Sequence, residues 1–226
     1  MQPYEGGGGD SRALSRRDLL KRAGLVGVAA AAPTAAMAPA ATAPVRPRER
    51  LEALTASEAE TVEAIVDRLI PSDANGPGAA EARVARYIDR ALGGELAPLR
   101  ASYSDGLAAV DAYAQGRFGD RFADLETAQQ DAVLTAMEQN VATGFAGGSR
   151  AFFELVREHC LQGMFGDPVH GGNEDFAGWD LIGFPGVKLS FGAAEQQMDV
   201  TVVPAHKSTA DFPLFKGGRK GGPNEH

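Results

Sequence analysis

Four polar residues of one glycine-rich stretch could do chemistry: Asp167, His170, Asn173 and Asp175 lie within nine residues of one another. Histidine and carboxylate ligands together suit zinc or iron, and the same groups could act in acid–base catalysis. One hypothesis is therefore a small metal-dependent enzyme centred on Asp167, His170 and Asp175.

The alternative interpretation of this stretch is structural. Asp167 and Asn173 would cap turns by accepting hydrogen bonds from nearby backbone, and His170 would donate to a carbonyl within the loop. Glycines would supply left-handed backbone positions, namely Gly166, Gly171 and Gly172. We favour this interpretation because a single histidine with mixed oxygen donors is a weak metal signature, and no second histidine lies near it in the sequence.

The cysteine content restricts the cofactors that this chain could hold. Cys160 is the only cysteine, so the chain cannot form an internal disulfide or supply a cysteine-rich cluster for iron–sulfur or zinc. The attachment sequence of c-type haem and a glycine-rich dinucleotide motif are also missing from the sequence. We therefore expect no cofactor in this chain and no catalytic activity of the chain alone. His159 and Cys160 are neighbours on one predicted helix, where adjacent side chains diverge by about 100°, so we expect core residues and not a nucleophilic pair.

The composition is that of one globular domain with an acidic surface. The 226 residues include 22 Lys and Arg against 30 Asp and Glu, a formal charge of −8. Because a nucleic-acid partner needs a basic face to meet its phosphates, this balance argues against nucleic acid.

The N-terminal region carries the pattern of a twin-arginine export signal. Arg16 and Arg17 stand at the head of an apolar run over residues 23–32, and Ala-rich sequence with several prolines follows. A membrane-spanning helix needs about 20 strongly apolar residues, and this run is too short and too weakly hydrophobic. We predict a removable signal and cleavage region over residues 1–43, a linker over 44–51, and export of the folded protein to the periplasm.

Hydrophobic periodicity predicts five amphipathic helices in a domain over residues 52–164. The first begins after a capping box formed by Thr55 and Glu58, and a second capping box is predicted over residues 127–130. Ser149 is the predicted N-cap of the fifth helix. No alternating strand pattern of useful length occurs before residue 200. The predicted fold class is therefore all-α, an irregular helical bundle.

The chain after residue 164 differs from the bundle, since it is rich in Gly, Pro and aromatic residues and has little periodicity. A long irregular segment in a compact domain is commonly functional. We predict an extended segment over residues 165–215 that wraps a partner, followed by a mobile tail over 216–226.

Two phrases of this segment carry a family resemblance, LQGMFGDPVHGGN at 161–173 and DFAGWDLIGFPG at 175–186. The phrases LIPSD at 69–73 and GPGA at 76–79 add to it. With them the sequence resembles the gluconate 2-dehydrogenase subunit 3 family over roughly residues 52–191.

Members of that family are small, or gamma, subunits of membrane-associated, flavin-dependent dehydrogenases of sugars or polyols. The resemblance implies a large flavoprotein subunit as partner, with FAD in that subunit, and often a third subunit, a cytochrome with haem c. It also implies that the small subunit bears the export signal and acts as an export and folding escort, with membrane contact only through the complex. Gluconate itself is not implied, because the flavoprotein chooses the substrate.

Aromatic and polar residues of the C-terminal segment are candidates for the partner interface, because aromatic side chains are frequent in interface hot spots. The predicted interface residues are Phe165, Asp167, His170, Asn173, Phe176, Trp179 and Phe184. Alternatively, Trp179, Phe176 and Phe184 pack in the core of this chain. The sequence favours neither the interface nor the core.

Overall fold

The structure, a computed structural model, describes residues 50–197 and 203–216. The predicted export signal and most of the predicted linker lie outside these residues, as does the tail after residue 216. Residues 200–202, where an alternating pattern begins in the sequence, also lie outside them.

The described chain is helical, and no strand occurs in it. Five longer helices form the bundle: α1 (Ala56–Leu69), α2 (Val84–Gly93), α3 (Arg100–Phe118), α4 (Thr127–Glu138) and α5 (Ser149–Phe165). Two short helices follow, α6 (Ala177–Leu181) and α7 (Pro213–Lys216). Short 3₁₀ turns lie at Ala97–Leu99, Phe122–Asp124, Pro168–His170, Glu174–Phe176, Ala193–Gln196 and Thr209–Asp211. The predicted all-α fold class is confirmed. None of the described helices has the length and apolarity needed to cross a membrane.

Helix α1 begins where the sequence predicts it. The Thr55 hydroxyl accepts a hydrogen bond from the Glu58 N–H at 3.3 Å, and the Glu58 carboxylate accepts one from the Thr55 N–H at 2.8 Å. This reciprocal pair is the predicted capping box. The helix ends at Leu69, shortly before Pro71, whose ring cannot continue it.

Two predicted helix starts are wrong by one residue. Helix α4 has Glu126 as its N-cap, and the Gln129 side chain accepts from the Glu126 N–H at 3.2 Å, so the box lies one residue before the predicted one. Helix α5 has Gly148 as its N-cap, and Ser149 is its first helical residue. The Ser149 hydroxyl donates to the Met137 carbonyl at 3.3 Å, so it ties α5 to α4 instead of capping its own helix.

Helix α1 lies at the centre of the bundle and packs against α2, α3, α4 and α5. Its side chains Val62, Ile65 and Val66 are at most 1% exposed. Helices α3 and α5 approach closely at Gly106, where a Cβ would overlap the ring of Phe152. Apolar burial of this kind stabilises by about 25 cal/mol per Å², and it makes the bundle a firm support for the segment that follows α5.

A buried carboxylate fixes the start of the bundle. Asp89 of α2 is 4% exposed and accepts hydrogen bonds from the N–H groups of Glu52, Ala53 and Leu54 at 2.8, 3.0 and 2.8 Å. Arg100 donates from Nε to the Ala53 carbonyl at 2.9 Å. The chain is therefore anchored to the bundle from residue 52 onward, which is where the sequence places the start of the helical domain.

The segment after α5 is less extended than predicted over its first part. Between Gly166 and Leu181 it forms two 3₁₀ turns and helix α6, which packs on α5. Local capping explains this difference, since polar side chains in the loop satisfy the backbone groups of each turn.

Candidate functional site

Asn173 holds together the loop between α5 and α6. Its side chain is fully buried, and Nδ2 donates to the carbonyl of Gly166, the residue that ends α5, at 2.8 Å. Its Oδ1 accepts from the N–H groups of Gly178 and Trp179 at the start of α6, at 2.8 and 3.4 Å. The amide thus supplies the N-terminal cap of α6 from four residues upstream. This confirms a capping role, and it leaves Asn173 without a surface to offer a partner.

Three loop glycines are needed for two different reasons. Only Gly171 has a left-handed backbone among the predicted three, with φ of +100°. Gly172 lies so close to α5 that a Cβ there would overlap the Gly163 carbonyl, and a Cβ on Gly166 would overlap the Gln162 carbonyl. The prediction of positive φ is therefore wrong for Gly166 and Gly172, because close backbone approach is what requires glycine at these positions.

Left-handed conformations fall instead on larger residues of the loop. The φ angles of Asn173, Asp175 and Phe176 are 47°, 52° and 63°. Such angles are uncommon for residues with a Cβ, and for a bulky aromatic they persist only where the surroundings specify them. The loop geometry is thus imposed by its contacts and not by local preference.

Asp167 joins the loop to the far end of the chain. Its Oδ1 accepts from the Val169 N–H at 3.0 Å, which confirms the predicted turn cap. Its Oδ2 accepts from the Thr209 N–H at 2.8 Å. One carboxylate therefore binds two backbone segments that are 42 residues apart in sequence.

His170 and Asp175 do not join Asp167 in a common site. Both side chains are exposed, and the predicted donation from His170 to a loop carbonyl is not among the hydrogen bonds of the described chain. Within residues 50–197 and 203–216, no group of three or more His, Cys, Asp or Glu side chains is placed to hold a metal ion. The geometry of this loop therefore gives no support to the metal-dependent alternative at Asp167, His170 and Asp175.

Trp179 is a core residue of this part of the chain. It is 5% exposed, and its indole Nε1 donates to the Phe165 carbonyl at 2.8 Å. The rings of Phe176 and Phe184 lie with their centroids 5.5 and 4.7 Å from that of Trp179. Phe184 is 40% exposed, so it covers the cluster from the solvent side.

Residues 181–197 and 203–216, here called the C-terminal arm, are attached to the loop through His206. The His206 Nε2 lies 2.7 Å from Oδ1 of Asp180, and its ring stacks on Phe176 with centroids 5.0 Å apart and planes 7° from parallel. Two backbone bonds hold the two parts of the arm together, from Val187 N–H to the carbonyl of residue 207 and from the N–H of residue 205 to the carbonyl of residue 185, each 2.8 Å long.

The arm carries most of the exposed apolar side chains of the described protein. Twelve large apolar residues are exposed, and eight of them belong to the arm. These eight are Leu181, Ile182, Phe184, Leu189, Phe191, Val203, Leu214 and Phe215. They are called the outer apolar surface below. A concentration of exposed apolar side chains in one segment marks a candidate binding surface, whereas single exposed apolar residues are ordinary.

Sequence reasoning missed His206, Asp180 and Thr209 as members of this site. Phe176 and Phe184 were predicted as either interface or core residues. Phe176 is half-buried and Phe184 is 40% exposed, and both rings pack on Trp179. The missing signal is long-range, since His206 and Asp180 are 26 residues apart and nothing in the local sequence pairs them.

A second polar group lies inside the bundle, away from the arm. The Tyr103 hydroxyl and Nδ1 of His159 are hydrogen-bonded at 2.8 Å, and both residues are buried beside Cys160. Burial raises the pKa of Tyr103 and lowers that of His159, so both are neutral. The prediction that His159 and Cys160 are core residues is confirmed.

Cys160 is expected to be unreactive toward a chromogenic disulfide reagent while the protein is folded. Burial raises the pKa of its thiol to about 12, and only the thiolate attacks disulfides. At about pH 8 we expect the folded protein to be labelled at least about a thousandfold more slowly than the unfolded chain. Denaturation should make one thiol per chain reactive. Cys160→Ser measures the background absorbance, and rapid stoichiometric labelling of the folded protein would contradict the buried position.

Comparison with known proteins adds an independent finding. The model of the family described as gluconate 2-dehydrogenase subunit 3 matches residues 56–186, which is more than half of the chain. No curated protein and no solved structure matches the chain in the same comparisons. The matched range ends inside the C-terminal arm and includes the bundle, the loop with Asn173 and the Trp179 cluster. The chain belongs to the gluconate 2-dehydrogenase subunit 3 family.

Proposed function

We propose that this chain is the accessory small subunit of a periplasmic, FAD-dependent sugar or polyol dehydrogenase complex, in which it escorts the flavoprotein large subunit through folding and export. Its family assignment makes it an accessory subunit of a gluconate 2-dehydrogenase-type complex. The escort role, the flavin partner and the periplasmic location are the parts that go beyond the assignment.

The outer apolar surface is the observation that carries the proposal. A subunit that binds a large partner needs apolar area to bury, and eight of the twelve exposed large apolar side chains of the described protein lie on the arm. Phe184 belongs to this surface and also contacts the buried Trp179, with the ring centroids 4.7 Å apart. Burial of these apolar side chains against the flavoprotein supplies the binding free energy.

The chemistry of the complex belongs to the partner in this proposal. A bound flavin accepts the electrons of the oxidised alcohol, and a haem c in a third subunit is the expected next acceptor. In this chain several of the residues that could have been catalytic have structural roles instead. Asn173 and Asp167 bind backbone groups, and Cys160 lies in the core. The chain therefore binds and positions, and the flavoprotein catalyses.

The export part of the proposal rests on the sequence around Arg16 and Arg17. Twin-arginine export carries folded cargo, so a flavoprotein that has already taken up FAD in the cytoplasm could travel with this chain. The anchoring of residues 52–54 by Asp89 would let the bundle fold independently of the signal.

Affinity purification of the tagged full-length chain from its native periplasm tests the proposal. The expected eluate contains a second, larger chain in equal amount, shows flavin absorption bands, and reduces a dye when a sugar or polyol is added. Recovery of this chain alone and without colour, under conditions gentle enough to preserve complexes, would overturn the accessory-subunit proposal.

A further inference from the structure

The C-terminal arm combines contacts to the loop with exposed apolar side chains. Two polar contacts join the arm to the loop: Asp167 accepts from the Thr209 N–H, and Asp180 is hydrogen-bonded to His206. The ring of Phe176 stacks on His206 at the same place. These three contacts are called the arm clasp. The eight side chains of the outer apolar surface belong to the same arm and are exposed.

Backbone strain marks the arm clasp as a specified geometry. His206 and Phe176, the two stacked residues, have φ angles of 46° and 63°, which residues with a Cβ rarely adopt. Two unfavourable backbones in contact indicate that the surrounding bonds hold them there. An exposed hydrogen bond such as that between His206 and Asp180 contributes little alone, so the clasp depends on the ring stack and the Thr209 bond as well.

Several charged side chains of the arm have partners within the arm itself. Lys188 pairs with Glu195 at 2.6 Å, Lys207 lies over the ring of Phe212, and the Asp211 carboxylate accepts from the Ser208 N–H at 2.7 Å. These charged groups are therefore engaged within the arm. An anionic membrane surface attracts protein elements that combine apolar side chains with a large surplus of exposed Lys and Arg. The described arm has a surplus of one, since it holds three Lys against Glu195 and Asp211.

Net charge disfavours a second copy of this chain as the occupant. Residues 51–180 contain nine Lys and Arg against 22 Asp and Glu, a formal charge of −13, whereas residues 181–226 contain five against four. Pairing two copies through their arms would bring two strongly acidic bundles together, and like charges oppose such an approach. A different protein with an apolar surface does not meet this obstacle.

We propose that the arm clasp pre-organises the outer apolar surface as the docking site for the flavoprotein large subunit, so that the loop residues act by positioning and the arm makes the contact. This inference rests on the proposed function and deepens it. It moves the interface from the loop to the arm, since Asn173 and Trp179 are buried and Asp167 serves the clasp. Holding the arm in its bound form before the encounter lowers the entropy cost of association.

Two matched pairs of variants in the full chain test the proposal. Ile182→Ser on the arm is compared with Val141→Ser on the bundle, because both side chains are 59% exposed. His206→Ala in the clasp is compared with Asn140→Ala, because both positions are exposed and have positive φ, and each side chain makes one hydrogen bond. The readout is the amount of flavin that co-purifies with each tagged variant from the periplasm. We expect Ile182→Ser and His206→Ala to lower it about tenfold, and the two controls to retain it.

Two further measurements separate docking from folding. A photoreactive amino acid at position 182 is expected to cross-link to the flavin-containing chain, whereas the same group at position 141 is not. Hydrogen exchange of isolated His206→Ala is expected to speed up at the Thr209 amide, which donates to Asp167, and at the Ala205 amide, which donates across the arm. It is expected to stay unchanged in α1 to α5.

The outcomes distinguish this inference from the proposed function. If wild type yields no flavoprotein at all, the proposed function fails and the inference fails with it. If wild type yields the flavoprotein and Ile182→Ser yields as much as Val141→Ser, the accessory subunit stands and the arm is not its docking site. Cross-linking from position 182 to lipid or to a second copy of this chain would also overturn the inference.

Discussion

Asn173→Ala is expected to lower the free energy of unfolding by about 3–5 kcal/mol. The Asn173 amide is the buried partner of the Gly166 carbonyl and of the Gly178 N–H, and alanine would leave both backbone groups unsatisfied. Each orphaned buried group costs about 1–3 kcal/mol. The φ of 47° adds a further cost, because alanine adopts the left-handed conformation less readily than asparagine. Urea denaturation followed by circular dichroism and by the emission of Trp179 measures the change.

Asn140→Ala is the matched control for that experiment. Asn140 also has a left-handed backbone, with φ of 58°, and its Oδ1 also accepts from a backbone N–H, that of Arg150 at 3.2 Å. It is exposed, so water replaces the lost partner, and we expect a loss of at most about 1–2 kcal/mol. Equal losses in the two variants would show that burial of Asn173 is not what stabilises the loop.

The helices of the bundle follow from signals that are local in sequence. The capping box of Thr55 and Glu58, the apolar spacing of Val62, Ile65 and Val66, and the break at Pro71 involve residues within one or two turns of one another. Ser149 is an exception, because its role could not be predicted from local signals. It has the side chain of an N-cap, but the carbonyl of Met137 lies within reach, and a bond to the neighbouring helix prevails.

The loop between α5 and α6 was recognisable from its residue types, whereas most roles in it were not. The bond from Val169 to Asp167 spans two residues and could be predicted. The bond from Thr209 to the same carboxylate spans 42 residues, and no feature of the local sequence predicts it. Of the four residues that look like a metal site in sequence, Asp167 and Asn173 therefore bind backbone groups in the fold.

Packing explains why the loop phrase has so little freedom. A Cβ at Gly178 would overlap the Met164 carbonyl, and one at Gly172 would overlap the Gly163 carbonyl, so the loop is pressed against the end of α5 at both places. Asn173 then bonds to both sides of the gap between the helices. A loop fixed in this way supports the arm. The residues that contact the partner are then expected in the arm and not in the loop.

Replacing Arg16 and Arg17 by lysine is expected to remove this chain from the periplasm, with a decrease of about tenfold or more, although the formal charge is unchanged. Lysine keeps the positive charge but loses the planar guanidinium with its fixed fork of donors, so a receptor that reads arginine geometry rejects it. The flavoprotein is expected to disappear from the periplasm in parallel, because under the proposed function it has no route of its own. Immunoblots of fractionated cells and the flavin content of the periplasm measure both effects.

Arg12→Lys with Arg22→Lys is the matched control, since it makes the same two substitutions on either side of the pair and leaves Arg16 and Arg17 in place. Both proteins should then reach the periplasm in wild-type amounts. The informative contrast is between the two proteins in the Arg16 and Arg17 variant. A flavoprotein that still arrives when this chain does not would show that it is exported independently, and the escort role would be wrong even though the two chains form one complex. Loss of both chains together, with the control unaffected, ties the export of the large subunit to this signal.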